Sequence, residues 1–375
     1  MSHFICLFVA TILLFSTSSF AYAKGCSFSE RDKKFAGSPA DQARCLLRKV
    51  LPGGNVAQTP AELTPFFLAN LGKPTAFSKG KLSKYLEKLK VKDKEIGGAL
   101  GTSISESRGG IRARYFVIHD TSDEVSGPRF PGAINDATYG LNRLDKRDVS
   151  MAHVMISRPG DSRTGQSYAG ELTATKFEQR YDNAAGLFLH HELVQPRIRG
   201  GFAFHAVGPG EGFTVPQMKR LALLYVIASA RQGNWMIPAF HAALDEGIPD
   251  GNDDPQNFNL AQWQNLVEQV NAEVTDSSVI IPKPEEKQPK TPTTTPGSCR
   301  WYAVASCNQS EAALLGHQRT LGGEFKIVHT DSISGFARGW YCLVSESEDH
   351  KQATAIASSA KSVVSSSYVK KGCPL

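Results

Sequence analysis

The sequence predicts an α/β protein with a mixed central sheet flanked by helices, followed by a small α+β C-terminal domain built as two strand-helix-strand halves. Three observations carry that expectation. Between about 106 and 272, apolar runs of strand length (Arg114–Ile118, His153–Ser157, Leu187–Val194) alternate with stretches of helical periodicity, the pattern of a sheet covered by helices. Residues 273–298 have a linker's composition, with Pro282, Pro284, Pro289, Pro292 and Pro296 among Thr, Lys and Glu, which favours an extended, uncondensed chain. Beyond it, in 299–375, Trp301-Tyr-Ala-Val-Ala-Ser306 is echoed by Trp340-Tyr-Cys-Leu-Val-Ser345. Each copy is followed by a helical segment (Ser310–Leu321, His350–Val364) and then a strand-like run (Phe325–His329, Tyr368–Lys370).

In chain order, residues 1–23 read as an export signal. An apolar stretch from Phe4 to Phe15 and a Ser/Thr-rich patch precede Ala21-Tyr22-Ala23, an A-x-A-like cleavage site. The apolar core is shorter than the ~20 residues of a membrane span, so no transmembrane segment is expected after cleavage. Ala23-Lys24-Gly25-Cys26 has a faint likeness to a lipoprotein processing site, which makes lipidation of Cys26 the minor alternative. Cleavage removes Cys6 and leaves Cys26, Cys45, Cys299, Cys307, Cys342 and Cys373, an even set that favours disulfides in an exported chain. Their two clusters pair Cys26 with Cys45 and leave the other four to close among themselves, in a connectivity the sequence does not fix.

Residues 24–105 read as a helical region. Ser38-Pro-Ala-Asp41 supplies a capped helix start, and a second helix over Leu82–Val91 carries Leu82, Tyr85, Leu86 and Leu89 on one face. Within 106–272 the longest helix opens at Thr214-Val-Pro216-Gln217. Its Met218, Leu221, Leu224, Tyr225 and Ala228 form a core stripe, and Gly233 lies just past its end. The net charge of +6 suits an anionic polymer such as a cell wall. The lysines are spread out, without a compact arginine-rich patch, which argues against nucleic acid.

The chemistry gathers in 106–272. A zinc hydrolase needs three protein ligands, an open position for water and a carboxylate to move protons. His119 ends the first apolar strand, His241 follows the long helix, and Asp254 lies in Asn252-Asp-Asp254-Pro255. None of the cysteines falls in this cluster, so its ligands should be nitrogen and oxygen. Glu192 sits in an otherwise apolar run, where an unpaired carboxylate is costly. It therefore reads either as the general base or as the partner of Arg197 or Arg199. His190 and His191 alternate faces, so at most one shares the cleft with Glu192.

Taken in order, these pieces resemble the zinc N-acetylmuramoyl-L-alanine amidases related to phage lysozyme-type amidases and peptidoglycan recognition proteins. Phe116-Val-Ile-His119 looks like the strand bearing the first zinc histidine, and Val149-Ser-Met-Ala-His153-Val-Met-Ile-Ser-Arg-Pro-Gly160 like the hairpin that follows. His191-Glu192-Leu193 is similar to the strand of the catalytic glutamate, His241 to the second zinc histidine, and Asp254-Pro255 to the third ligand with its proline. The resemblance implies an amidase-like fold over 106–272 and a Zn2+ held by His119, His241 and Asp254. It also implies cleavage of the amide between N-acetylmuramic acid and L-alanine of the stem peptide, with Glu192 activating the water and protonating the leaving amine. His153 would then border the substrate groove, unless it is a hydrogen-bonded strand histidine.

Two departures matter. Asn252 stands where the family usually has Lys or Thr contributing to the transition state, so it can donate a hydrogen bond but carries no charge. Asp253 also competes with Asp254 as ligand. A catalytically weak or inactive peptidoglycan-binding protein that keeps the same groove is the alternative reading. The C-terminal repeat resembles a SPOR domain, a periplasmic glycan-binding module, which implies a periplasmic or secreted, wall-associated protein whose partner is peptidoglycan. The oligomeric state is left open.

Overall fold

A computed structural model of the protein describes residues 26–275 apart from 52, 127–129, 182–183 and 199–211. It also describes 299–374 apart from 309–313, 315–316, 319–320, 322–324, 331–332, 338, 362 and 365. The export signal, nearly all of the linker, Arg199 and most of the helical segment Ser310–Leu321 lie outside these residues. The chain divides into two units at 277/278.

The first unit begins with a two-stranded hairpin, β1 (Phe28–Ser29) and β2 (Lys34–Phe35), then helices α1 (Pro39–Leu46), α2 (Pro65–Asn70) and α3 (Lys79–Leu89). Ser38 caps α1 through a reciprocal capping box with Asp41, as its sequence predicts. The second predicted helix starts three residues earlier than the apolar stripe indicates, because Ser78 caps the Lys81 N–H. This region is therefore not purely helical, and it is no separate domain. The Tyr115 hydroxyl accepts the Phe35 N–H at 3.0 Å and donates to Gln42 Oε1 at 2.9 Å. Arg48, itself buried, pairs with Glu246. Cys26 and Cys45 form the expected disulfide, and its loss through Cys26→Ser with Cys45→Ser is expected to cost about 3 kcal/mol, the scale for a loop of this length. A fall in thermal midpoint under oxidising conditions checks it.

The remaining elements of this unit are β3 (Tyr115–Asp120), β4 (Glu124–Val125), β5 (Val154–Ile156), β6 (Ser162–Thr164), α4 (Lys176–Arg180), β7 (Phe188–Leu193), β8 (Arg197–Ile198), α5 (Val215–Gln232), β9 (Ile237–Phe240), α6 (His241–Leu244) and α7 (Leu260–Thr275). The central sheet runs β6-β5-β7-β3-β9. Three contacts make β5, β7, β3 and β9 parallel, and β6 turns back antiparallel on β5, so the sheet is mixed as predicted. Strands β3 and β7 are buried along their whole length, which is why they do not alternate apolar with polar residues as half-exposed strands do. Helix α5 has Thr214 as its N-cap, Pro216 in its first turn and Gly233 as its left-handed C-cap (φ 97°). Trp263 of α7 has no exposed surface and packs against Phe67, Tyr225 and Phe258. Trp263→Ala is expected to cost about 3–5 kcal/mol, read as a lower urea midpoint.

The second unit is a five-stranded antiparallel sheet ordered β11-β13-β10-β14-β12, from β10 (Arg300–Asn308), β11 (Lys326–His329), β12 (Ile333–Ser334), β13 (Tyr341–Ser347) and β14 (Tyr368–Pro374), with helix α8 (His350–Ala360). Strands of the two repeat copies interleave, since β13 lies between β10 and β11. Disulfides Cys299–Cys373 and Cys307–Cys342 fix the connectivity that the sequence leaves open. Of the two Trp-Tyr pairs, Tyr302 is core at 1% exposure, whereas Trp301 stays half-buried beneath the Lys371 ammonium, 5.5 Å from the ring centre. The second copy does not repeat this: Trp340 is 37% exposed, because it precedes β13 rather than entering it. Three disulfides across both units are the bonding of a chain that matures in an oxidising compartment. Among the described residues no helix is long and apolar enough to cross a membrane.

Candidate metal centre

The parallel register assembles the site. His119 on β3 pairs directly with Glu192 on β7, so both side chains leave the same face of the sheet. On the other flank Ile118 pairs with Phe240, which delivers His241, the next residue, beside His119. All of this happens at the carboxyl ends of parallel strands, where open α/β sheets place their sites. The loop after α6 then brings Asp254 over. His119 Nδ1 lies 2.9 Å from His241 Nδ1 and 3.7 Å from Asp254 Oδ2, and His241 Nδ1 is 3.0 Å from Asp254 Oδ1. These three buried residues form one cluster whose donor atoms lie within 4.8 Å of one another.

The donor set fits a metal ion. Each ring has its far nitrogen committed: His119 Nε2 is 3.0 Å from His190 Nδ1, and His241 Nε2 is 3.1 Å from Asp245 Oδ2. Two imidazole nitrogens therefore face each other and a carboxylate across a short gap, an arrangement in which a cation relieves the repulsion between lone pairs. Burial, followed by the neighbouring His241 and His190, holds His119 well below the usual imidazole range, the neutral state a ligand requires. For His241 burial acts in the same direction, but Asp254 and Asp245 outweigh it and push the ring up to about 10. In the metal-free site that carboxylate pair holds a proton where a cation would compete.

The competition between Asp253 and Asp254 is decided by Arg197. Its Nη1 reaches both Asp253 oxygens at 2.6 Å and its Nη2 reaches Asp120 at 3.3 Å. Asp253 is thus turned away from the histidines while Asp254 faces them. Asp120 completes the clamp: its N–H donates to Asp254 Oδ2 at 3.0 Å, and its own carboxylate accepts the Gln256 N–H at 3.1 Å. Below the loop, Gly54 (φ +83°) fits so closely that a Cβ there would fall 2.0 Å from the Asp253 Cβ.

Arg197 is therefore not the partner of Glu192. Among the described residues Glu192 makes no ion pair or side-chain hydrogen bond, and it lines a groove of about 560 Å³ together with His119, His241, Asn252 and Asp254. Burial first, then the charges of Asp254 and Asp120, hold its carboxyl well above the usual range. Asn252 sits beside His241, its amide nitrogen 3.3 Å from both ring nitrogens. Met151, Leu172, Thr173 and Ala174 also line the groove, and among the described residues none of 26–105 does.

His153 does not reach the groove. It has no exposed surface; its Nδ1 accepts the His190 N–H at 3.0 Å and its Nε2 lies 3.2 Å from the Gly170 carbonyl. The strand it precedes carries it beneath β7 rather than up to the cleft, so it is the hydrogen-bonded strand histidine. His190 faces the Glu192 side, whereas His191 points away, stacked on Phe116 and bonded to the Tyr168 hydroxyl at 2.5 Å. Two buried residues around the site, Glu178 and Asp245, carry no signal that the sequence reading picks out. The spacing of Asp245 four residues after His241 was the one available signal, while Glu178 reads as no more than the acid of a Thr175 capping box. Comparison of the chain with protein-family models, curated proteins and solved structures finds no match.

Proposed function

We propose that this protein is a zinc-dependent N-acetylmuramoyl-L-alanine amidase of the periplasm, held on peptidoglycan by a SPOR-like C-terminal unit. The observation that carries the reading is the placement of an unpartnered, buried Glu192 in register beside His119, at a groove that also holds His241 and Asp254. The ordered sequence pieces supply the substrate class. Zinc bound by His119, His241 and Asp254 would supply Lewis acidity at the scissile carbonyl.

The chain's own residues do the rest. Glu192 takes the proton of the attacking water and returns it to the leaving amine of L-alanine, a role suited to a carboxylate whose surroundings raise its proton affinity. Asn252, beside His241 in the groove lining, offers an amide N–H to the oxygen that gains charge as the carbonyl becomes tetrahedral. Met151 and Leu172 give the peptide side an apolar wall. Mass analysis of sacculi digested by the mature chain, with and without chelator, tests this: stem peptides beginning at L-alanine should appear only without chelator. A zinc-loaded protein that releases none would overturn it. Asn252 favours a second reading, a protein that grips muropeptide without turnover, which tight binding with no hydrolysis would select.

A further inference from the structure

We infer that the short helix α4 is the bracket that orients both metal histidines, through Glu178 on one side and Asp245 on the other. These two carboxylates are positioning residues that set metal affinity from outside the groove. The inference rests on the metal reading of the site but not on the reaction proposed for it.

The first arm runs through His190. Its Nε2 lies 3.2 Å from Glu178 Oε2 and 3.3 Å from Oε1, and neither side chain has any exposed surface. A carboxylate only accepts, so His190 Nε2 carries the hydrogen and its Nδ1 is the acceptor. His119 Nε2, 3.0 Å from that Nδ1, must then carry its own hydrogen, which leaves the His119 Nδ1 lone pair aimed at His241 and Asp254. Glu178 is itself held by the N–H groups of Ala174 and Thr175, both at 3.1 Å, and by the Thr175 hydroxyl at 2.9 Å.

The second arm leaves the same helix. The Phe177 N–H donates to Asp245 Oδ1 at 2.8 Å and the Lys176 N–H to Oδ2 at 3.3 Å. Asp245 Oδ2 in turn accepts from His241 Nε2 at 3.1 Å and from the Asn252 N–H at 3.2 Å. By the same logic the neutral His241 ring that a metal requires carries its hydrogen on Nε2, which leaves Nδ1 as the ligand atom. One turn of helix thus fixes the ring orientation and tautomer of two ligands that come from β3 and α6, and Thr173 and Ala174, just before its N-cap, line the groove.

Zinc affinity of the mature chain, measured by chelator competition, tests the bracket. Glutamine keeps the capping box with Thr175 but replaces the carboxylate facing His190, so Glu178→Gln should weaken zinc binding about 10- to 100-fold with the melting midpoint of the metal-free protein unchanged. Asp245→Asn should weaken it on the same scale, and both should alter the visible spectrum of the cobalt-substituted protein. Thr175→Ala, which removes the cap and one of the three hydrogen bonds that hold Glu178 but keeps both carboxylates and the two backbone donors, should lower the midpoint and weaken zinc binding less than either carboxylate variant. The inference fails if Glu178→Gln and Asp245→Asn bind zinc as tightly as the parent, or if Thr175→Ala weakens binding as much as they do. Should Glu178→Gln not fold, Asp245→Asn decides the matter alone. Loss of affinity in these variants of a protein that hydrolyses nothing would keep the bracket and sink the amidase.

Discussion

Glu192→Gln is expected to lower the release of stem peptides from sacculi by about 10²- to 10⁴-fold, the range contributed by a general acid–base, while bound zinc stays at about one per chain. The substitution keeps the shape of the side chain and removes its ability to take and return a proton. Because Glu192 has no ion-pair partner among the described residues and is held well above the usual carboxylate range by burial and by Asp254 and Asp120, neutralising it breaks no pairing in the fold. The melting midpoint should therefore hold or rise. Parallel measurement of zinc content, midpoint and muropeptide release separates a chemical role from a structural one. Unchanged release with the variant fully folded would remove Glu192 from the mechanism.

The second large effect concerns the ligands. Asp254→Ala should leave the dialysed protein without bound zinc and without activity, whereas Asp253→Ala should keep about one zinc per chain, since two ligands of an otherwise three-ligand set hold this ion poorly. The contrast follows from Arg197, which occupies both oxygens of Asp253 and leaves Asp254 to the histidines. Metal analysis of the two variants after identical dialysis checks it. Equal zinc retention in both would dissolve the assignment of the third ligand.

Much of this centre was legible in the sequence, and the part that was not has a physical reason. His119, Glu192 and His241 stand at the ends of apolar runs, and apolar runs declare themselves by composition alone. Their adjacency depends on parallel pairing of β3 with β7 and β9, which brings together residues far apart in the chain but follows from the alternation of strands and helices. Caps were equally readable: Ser38 and Thr214 act locally, within three residues. Arg197 stands in the sequence as an alternative partner of Glu192, but nearness along the chain is a poor guide once a strand ends. The turn after β7 carries Arg197 past Glu192 to Asp120 and Asp253. His153 likewise looked like a groove residue, since sequence gives the strand but not the depth at which it lies. Glu178 and Asp245 stayed hidden because each already had an ordinary local explanation.

The contact of Gly54 with Asp253 has a practical side. Among the described residues none of 26–105 lines the groove, so a minimal protein drawn from the ligands would begin near 106. Such a truncation would strip the floor from the loop that presents Asp254, expose the Tyr115 hydroxyl and leave Glu246 without Arg48. The piece that folds is larger than the piece that reacts. An apparently dispensable leader segment is in this chain the foundation on which the metal loop rests.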